Sequence, residues 1–291
     1  MSFLSKILSK KLQPAWEFTT KGTLWRMLVS EGNHIIGEDR DAEKKSVSFF
    51  CLNGETGNVL WRNVQFHEKW WITIEAIHQD VVFFHEYASP DLPAHKKIYA
   101  LEIATGKLLW YNEELSFAFA HNESVFASKD TEEQRIFLEL DLRTGAVLGE
   151  KDAQYMNVLR ETITPREEQV EFPQPFDFSI NGNAELKQHI EKAVSKAKNI
   201  QHIEFLEKSL QKDGGQVGKL VVGWYDNVSA KLDQPMLNQE LVVIDESSNI
   251  IYRDLMNSEV TIAVPDTFFG KGNFVYYIKN KKTLVALRIE K

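Results

Sequence analysis

The sequence predicts an all-β chain, a β-propeller of four-stranded antiparallel blades in which five blades are recognisable and a sixth is left open, with a helix-containing insertion. Three observations carry this. A Thr-Gly hairpin recurs at the same place in successive units. Pairs of short apolar runs precede each copy. The last unit lacks a strand that the first residues of the chain can supply.

The hairpin is Leu52-Asn53-Gly54-Glu55-Thr56-Gly57-Asn58-Val59-Leu60-Trp61. It returns as Leu101-Glu102-Ile103-Ala104-Thr105-Gly106-Lys107-Leu108-Leu109-Trp110 and as Leu140-Asp141-Leu142-Arg143-Thr144-Gly145-Ala146-Val147-Leu148-Gly149, with a decayed fourth copy at Ile244 to Tyr252. The glycine after each Thr suits a turn position that needs positive φ, and in the fourth copy Asn249 takes that place, being the next best residue for it. Upstream lie the other two strands of each unit. They are Leu24 to Val29 with His34 to Gly37, Trp70 to Ile77 with Val81 to Phe84, Phe117 to Ala120 with Val125 to Ser128, and Ile203 to Leu206 with Leu220 to Tyr225. These runs are β-branched and aromatic, too short for helices, and bounded by Gly, Asn and Asp. A fifth unit reads as Val260 to Val264, Phe274 to Ile278 and Leu284 to Ile289, and Pro14 to Phe18, carrying Trp16, is the segment expected to complete it and close the ring.

The interval from Val125 to Val221 is more than twice that from Val81 to Val125, so residues 150–199 hold an insertion or a degenerate blade. Leu186, Ile190, Ala193, Val194 and Ala197 fall at helical spacing after Asn183, a capping residue, which predicts a helix over 184–198. The stretch before it, with Pro165, Pro173 and Pro175 among Glu161, Glu167, Glu168 and Glu171, reads as an irregular acidic loop with one or two short strands. The whole, 1–291, is read as a single propeller domain with residues 1–12 as an N-terminal extension. That extension mixes Lys6, Lys10 and Lys11 with Phe3, Leu4, Ile7 and Leu8. It reads as a loosely packed terminus, with an amphipathic helix on a membrane surface as the alternative, and not as a secretory signal.

Composition narrows function without naming it. The 34 basic and 42 acidic side chains leave a net charge of −8, which argues against nucleic acid as a partner. One cysteine, Cys51, excludes an intramolecular disulfide and a thiolate-rich zinc site and fits a cytoplasmic location. No run of apolar residues is long enough for a transmembrane helix.

The Thr-Gly-Lys-Leu-Leu-Trp copy at 105–110 and the Thr-Gly-Asn-Val-Leu-Trp copy at 56–61 resemble the PQQ-type repeats of the quinoprotein-like propeller superfamily. The whole chain, with its irregular middle segment, also resembles an uncharacterised bacterial family of about this length. The resemblance implies blade packing and no cofactor: its quinone-dependent dehydrogenases carry adjacent cysteines and are exported, and its outer-membrane assembly lipoproteins carry an N-terminal lipid-bearing cysteine. This chain has neither feature, so PQQ binding is not expected and no cofactor is assigned. Trp61 and Trp110 read as apolar bulk buried where outer strands of blades meet.

The chemistry-bearing residues are sparse. Between His85 and His95 lies a loop with Pro90, Asp91 and Pro93, and the two imidazoles could converge on zinc, but a hydrated loop is the preferred reading and no metal is assigned. On an extended strand His85 and Tyr87 share a face and Glu86 takes the other. His67 and His121 read as surface residues in turns. The charged stretches after each second strand, Glu38 to Asp41, Glu86 to Pro93, Lys129 to Glu133, Asp226-Asn227 and Lys279 to Lys282, read as a polar, mostly acidic rim. The expected function is therefore a non-enzymatic interaction or ligand-binding propeller with a protein partner. The alternative is a metal-dependent hydrolase or lyase at the channel mouth, for which polar side chains from at least three blades would have to converge.

Overall fold

The computed structural model describes residues 11–89, 92–163, 170–179, 184–212, 215–231 and 234–289. The chain is an all-β protein of the propeller class, with five antiparallel sheets and two helices among the described residues. It divides into two compact units, one within residues 20–169 and the other within 1–19 and 170–291.

The first unit holds three four-stranded meanders. They are β2 (Thr23–Val29), β3 (His34–Asp41), β4 (Ser46–Asn53) and β5 (Val59–Val64); β6 (Ile72–His78), β7 (Val81–Ser89), β8 (Leu92–Glu102) and β9 (Leu108–Asn112); and β10 (Ser116–His121), β11 (Ser124–Asp130), β12 (Arg135–Asp141) and β13 (Val147–Lys151). Both faces of the middle sheet are apolar, because neighbouring residues of an extended chain point to opposite sides. Val82 and Phe84 join Ile36, Phe49 and Trp61 of the first sheet in one core cluster, while Val81 and Phe83 join Val125, Ala127 and Leu140 of the third in another.

The repeated Trp and Gly are the two halves of one joint. Trp61 donates its indole N–H to the Ile103 carbonyl at 2.7 Å, and Trp110 donates its own to the Leu142 carbonyl at 2.9 Å. Each ring lies flat against the next sheet's turn glycine, so that a Cβ on Gly106 would stand 2.8 Å from Trp61 and one on Gly145 2.6 Å from Trp110. Gly57, Gly106 and Gly145 all have positive φ, as the turn chemistry requires. The fourth copy departs: its positive-φ residue is Ser248, not Asn249. The loop is one residue tighter, since Asn53 N–H bonds to the Asn58 carbonyl whereas Asp245 N–H bonds to that of Asn249, and the left-handed position moves back by one.

The second unit contains β14 (Gln174–Pro175), β15 (Ile200–Lys212), β16 (Gly215–Lys231), β17 (Gln234–Ile244) and β18 (Ile250–Val260) in one sheet. The other sheet holds β19 (Phe268–Lys271), β20 (Phe274–Lys279) and β21 (Thr283–Arg288) in the order β1-β21-β20-β19, where β1 is Pro14–Thr19. The N-terminal strand thus completes the fifth sheet, with Trp16 opposite Ala286 and its ring 5.9 Å from that of Tyr276. The first strand of that sheet is Phe268–Lys271 and not Val260 to Val264. Val260 ends β18, and residues 261–267 form no strand. Two faces of the fourth sheet are covered: Val221, Leu241 and Val243 pack with Phe268, Val275 and Val285, while Val222, Trp224 and Val242 pack with Ile190, Ala193 and Val194.

The segment after β13 forms no sheet of its own among the described residues. It contributes α1 (Ala153–Thr162), the two-residue β14 and α2 (Ala184–Ala193). Helix α1 was not expected from the acidic, proline-bearing context. It starts because Asp152 accepts the Tyr155 N–H at 2.7 Å as an N-cap, and Ala153 to Thr162 contains no Gly or Pro. Helix α2 stops at Ala193, five residues short of the expected end, with Val194 and Ala197 in turns beyond it; the proposed cap Asn183 lies outside the described residues. No helix among the described residues is long and apolar enough to cross a membrane.

The acidic rim is corrected in three places. Glu38 lies within β3, fully buried, where it accepts the Ile74 N–H at 2.9 Å, the Thr73 hydroxyl, and the Arg40 guanidinium at 2.7 Å. Glu86 is buried in β7, accepting the Tyr99 hydroxyl at 2.7 Å. Asp226 is buried in β16 and caps the Lys198 and Asn199 amides. These carboxylates satisfy internal donors.

Two consequences are measurable by chemical denaturation. Replacing Gly106 by Val forces a β-branched side chain into positive φ and against the Trp61 ring, at a cost of about 1–3 kcal/mol, whereas Ser248→Gly is expected to stabilise by up to about 1 kcal/mol. Equal stability of Gly106→Val and the parent would refute the joint. Removing residues 1–19 deletes β1 and exposes the β21 edge and the Tyr276 face, so the truncated chain is expected to melt well below the intact one; an unchanged melting temperature would refute β1 as an integral strand.

Candidate functional site

Three side chains meet on the middle sheet of the first unit. Glu75 comes from β6, His85 from β7 and His95 from β8. Two bulges aim them. Ile74 pairs with Phe84 and Ala76 with Phe83, leaving Glu75 as the extra residue of β6. Between β7 and β8, Phe84 pairs with Tyr99 and Glu86 with Lys96, so the pairing slips around His85, and Lys97 absorbs the kink with φ of 58°. Tyr87 and His95 are directly opposed.

The result is a tight cluster. Glu75 Oε2 lies 2.8 Å from His95 Nδ1 and touches His85 Nδ1. The two imidazoles stack at 3.5 Å with planes 13° apart, and the Tyr87 ring stands edge-on to both, at 5.2 and 5.9 Å. Trp71 meets Tyr87 in turn at 6.4 Å. The neighbouring sheets brace the cluster: Arg26 on β2 donates to the Glu75 carbonyl at 3.4 Å, and the Ser116 hydroxyl on β10 donates to the His95 carbonyl at 2.7 Å. Burial is graded, with His85 at 1%, Glu75 at 17% and His95 at 35% side-chain exposure, so the group opens to solvent through His95.

His85 is the unusual member. Its Nε2 makes no hydrogen bond, and its Nδ1 is in contact with Glu75 Oε2. Leaving such a nitrogen buried and unpaired costs about 1–3 kcal/mol. Burial pushes the Glu75 carboxyl up, but the adjoining His85 ring and the charges of His95 and Arg26 outweigh it and hold the group below its ordinary value. Burial, and then the neighbouring His85, hold the His95 imidazole below its ordinary value.

His85 and His95 were singled out in the sequence, and the structure brings them together. Pro90 and Asp91 lie outside the described residues. The hydrated-loop reading does not describe His85, which is interior. Glu75 was missed. It precedes His85 by the same interval that separates His85 from His95, and alternation from Thr73, which pairs with His85, puts it on the His85 face, but that pairing is not written in any local pattern of residues. His67 is exposed and His121 half-buried at the end of β10. Cys51 is buried and its thiol pushed up to about 12 by desolvation, which makes it unreactive.

The profile of a family described as "Domain of unknown function (DUF4905)" matches residues 29–110, a span that includes Glu75, His85 and His95. No curated protein matches the chain. Among solved structures the chain is similar to the uncharacterized protein lmo1340 from Listeria monocytogenes EGD-e, with 8% identity, 94% of this chain and 97% of that chain covered, and a TM-score of 0.34. It is also similar to the β-propeller domain of the Trilobed protease from Pyrococcus furiosus, with 9% identity, coverage of 94% and 95%, and a TM-score of 0.33. A third is the Dos1 propeller, at 10% identity, covering 92% of this chain and 68% of that one, with a TM-score of 0.30.

If the His85 imidazole is held at a cost to folding, an apolar residue of similar size should relieve it. His85→Leu is expected to be as stable as the parent or about 1 kcal/mol more stable in urea denaturation with a chelator present. A loss of more than about 2 kcal/mol would show that the imidazole is paired in the folded protein.

Proposed function

We propose that the chain is a non-enzymatic binding propeller, acting in the cytoplasm, whose recognition surface is the Glu75, His85 and His95 cluster with its aromatic border and whose partner is another protein. The observation that supports this is the buried His85, whose Nε2 makes no hydrogen bond, beneath a solvent-facing histidine. The border has the chemistry of an interface, since Trp71, which meets Tyr87, is 40% exposed, and the adjoining sheet adds a separate exposed aromatic on β2, Trp25 at 69%. Tryptophan, tyrosine and arginine supply most of the binding energy where proteins meet.

A second reading, a metal-dependent hydrolase or lyase, draws on the same residues, since two histidines and a glutamate can hold a hydrolytic zinc ion. Against it, the three groups come from adjacent strands of one sheet, whereas the channel-mouth site envisaged for an enzyme needs contributions from three. Capture from the native cell with the intact chain and with the Trp25→Ala/Trp71→Ala variant tests the first reading. One protein is expected in stoichiometric amount with the parent, and binding at least about 30-fold weaker with the variant, as for loss of hot-spot residues. Identical capture by both would overturn it, and turnover of ester substrates by the metal-loaded parent would favour the second.

A further inference from the structure

We propose that Glu75, His85 and His95 form a binding site for one divalent transition-metal ion, with zinc the best fit. This rests on reading the cluster as the recognition site and names what that site first takes up. Two imidazole nitrogens and one carboxylate oxygen are a donor set suited to zinc, and their ligating atoms all lie within 4.8 Å of one another. Hard cations such as magnesium prefer all-oxygen ligands and are disfavoured here.

The independent observation is His85. Its side chain is 1% exposed, its Nδ1 faces Glu75 Oε2, and its Nε2 makes no hydrogen bond. Two imidazoles stacked face to face offer each other no hydrogen bond, and a single carboxylate oxygen faces Nδ1 of both. The lone pairs of the parallel rings run side by side, so an ion takes both nitrogens and the carboxylate charge once the imidazoles turn out of their stack to converge on it. Tetrahedral bonds of 2.0–2.1 Å place ligand atoms roughly 3.3 Å apart. The present 2.8 Å between Glu75 and His95 must therefore widen by about half an ångström, and the closer contact of Glu75 with His85 by more.

The surroundings fix the ligands as a metal site requires. The Glu75 and His95 backbones are tied to β2 and β10 through Arg26 and Ser116, and Tyr87 packs edge-on against both rings. Three protein ligands leave a zinc ion a fourth position, and the exposure of His95 directs that position outward, where a water or a donor atom of the partner can occupy it.

The test uses the full chain, stripped with a chelator and titrated calorimetrically with zinc chloride, then with cobalt(II) as a spectroscopic probe. One equivalent of zinc is expected to bind at micromolar or tighter affinity and to raise the melting temperature, and cobalt is expected to give the intense visible bands of a tetrahedral site. His95→Ala and Glu75→Gln, both at partly exposed positions, are expected to weaken zinc binding at least tenfold while remaining folded by circular dichroism. Failure to bind one equivalent, or binding unchanged in both variants, would overturn the metal site. If zinc does not bind but partner capture still depends on Trp25 and Trp71, the recognition surface stands and the metal falls. If zinc binds as stated but capture ignores those residues, the metal site stands and the partner surface falls.

Discussion

A sheet with apolar side chains on both faces cannot exist alone in water, and the hinge between one sheet and the next is the constraint on which the first unit depends. Trp61 and Trp110 meet it in the same way. Each donates its indole N–H to a carbonyl at the start of the turn of the following sheet, a bond contributing about 0.5–1.5 kcal/mol, and lays its ring on a glycine that only a missing Cβ makes approachable. The side chain thus covers apolar surface, satisfies a buried polar group and sets the distance between sheets together. Glu38 adds a second tie, carrying a buried carboxylate from the first sheet to the Thr73 and Ile74 donors of the second, with Arg40 balancing its charge.

The candidate site exists because that packing is rigid. A flat, regular sheet would point Glu75 and His85 along the pleat with no common focus. The paired bulges on β6 and β8 break the alternation where three strands lie side by side, and the flanking sheets hold the distorted backbone through Arg26 and Ser116. The same sheet continues as ordinary core at Phe83 and Phe84, each packed against a different neighbour. The candidate site and the packing core therefore share one element, separated by one or two residues.

Much of this was legible in the sequence, and the failures have physical causes. Turn glycines, paired strand runs and the orphan segment at Trp16 were readable because each depends on local chemistry: positive φ, period-two burial, an unpaired edge. Ser248 took the place expected of Asn249 because the loop is shorter by one residue, a feature of pairing across the hairpin and not of composition. Helix α1 was obscured by prolines that lie beyond its end. Glu38, Glu86 and Asp226 looked like solvated charge because burial of a carboxylate is decided by distant donors. His85 and His95 could be named but not joined, since the third member, Glu75, reaches their face through the pairing of β6 with β7, which no local residue pattern marks.

The pairing of β1 with β21 also orders events in time. Thr19 and Thr283 share a hydrogen bond across 264 positions of sequence, so β1 waits, unpaired with β21, until the intervening residues have been synthesised. The first unit draws all its strands from one continuous stretch and can assemble during translation. The second unit cannot, and its last step is the capture of a strand made long before its partner. During that interval the β1 segment is a sticky edge in the cell, and shielding it falls to whatever meets the nascent chain.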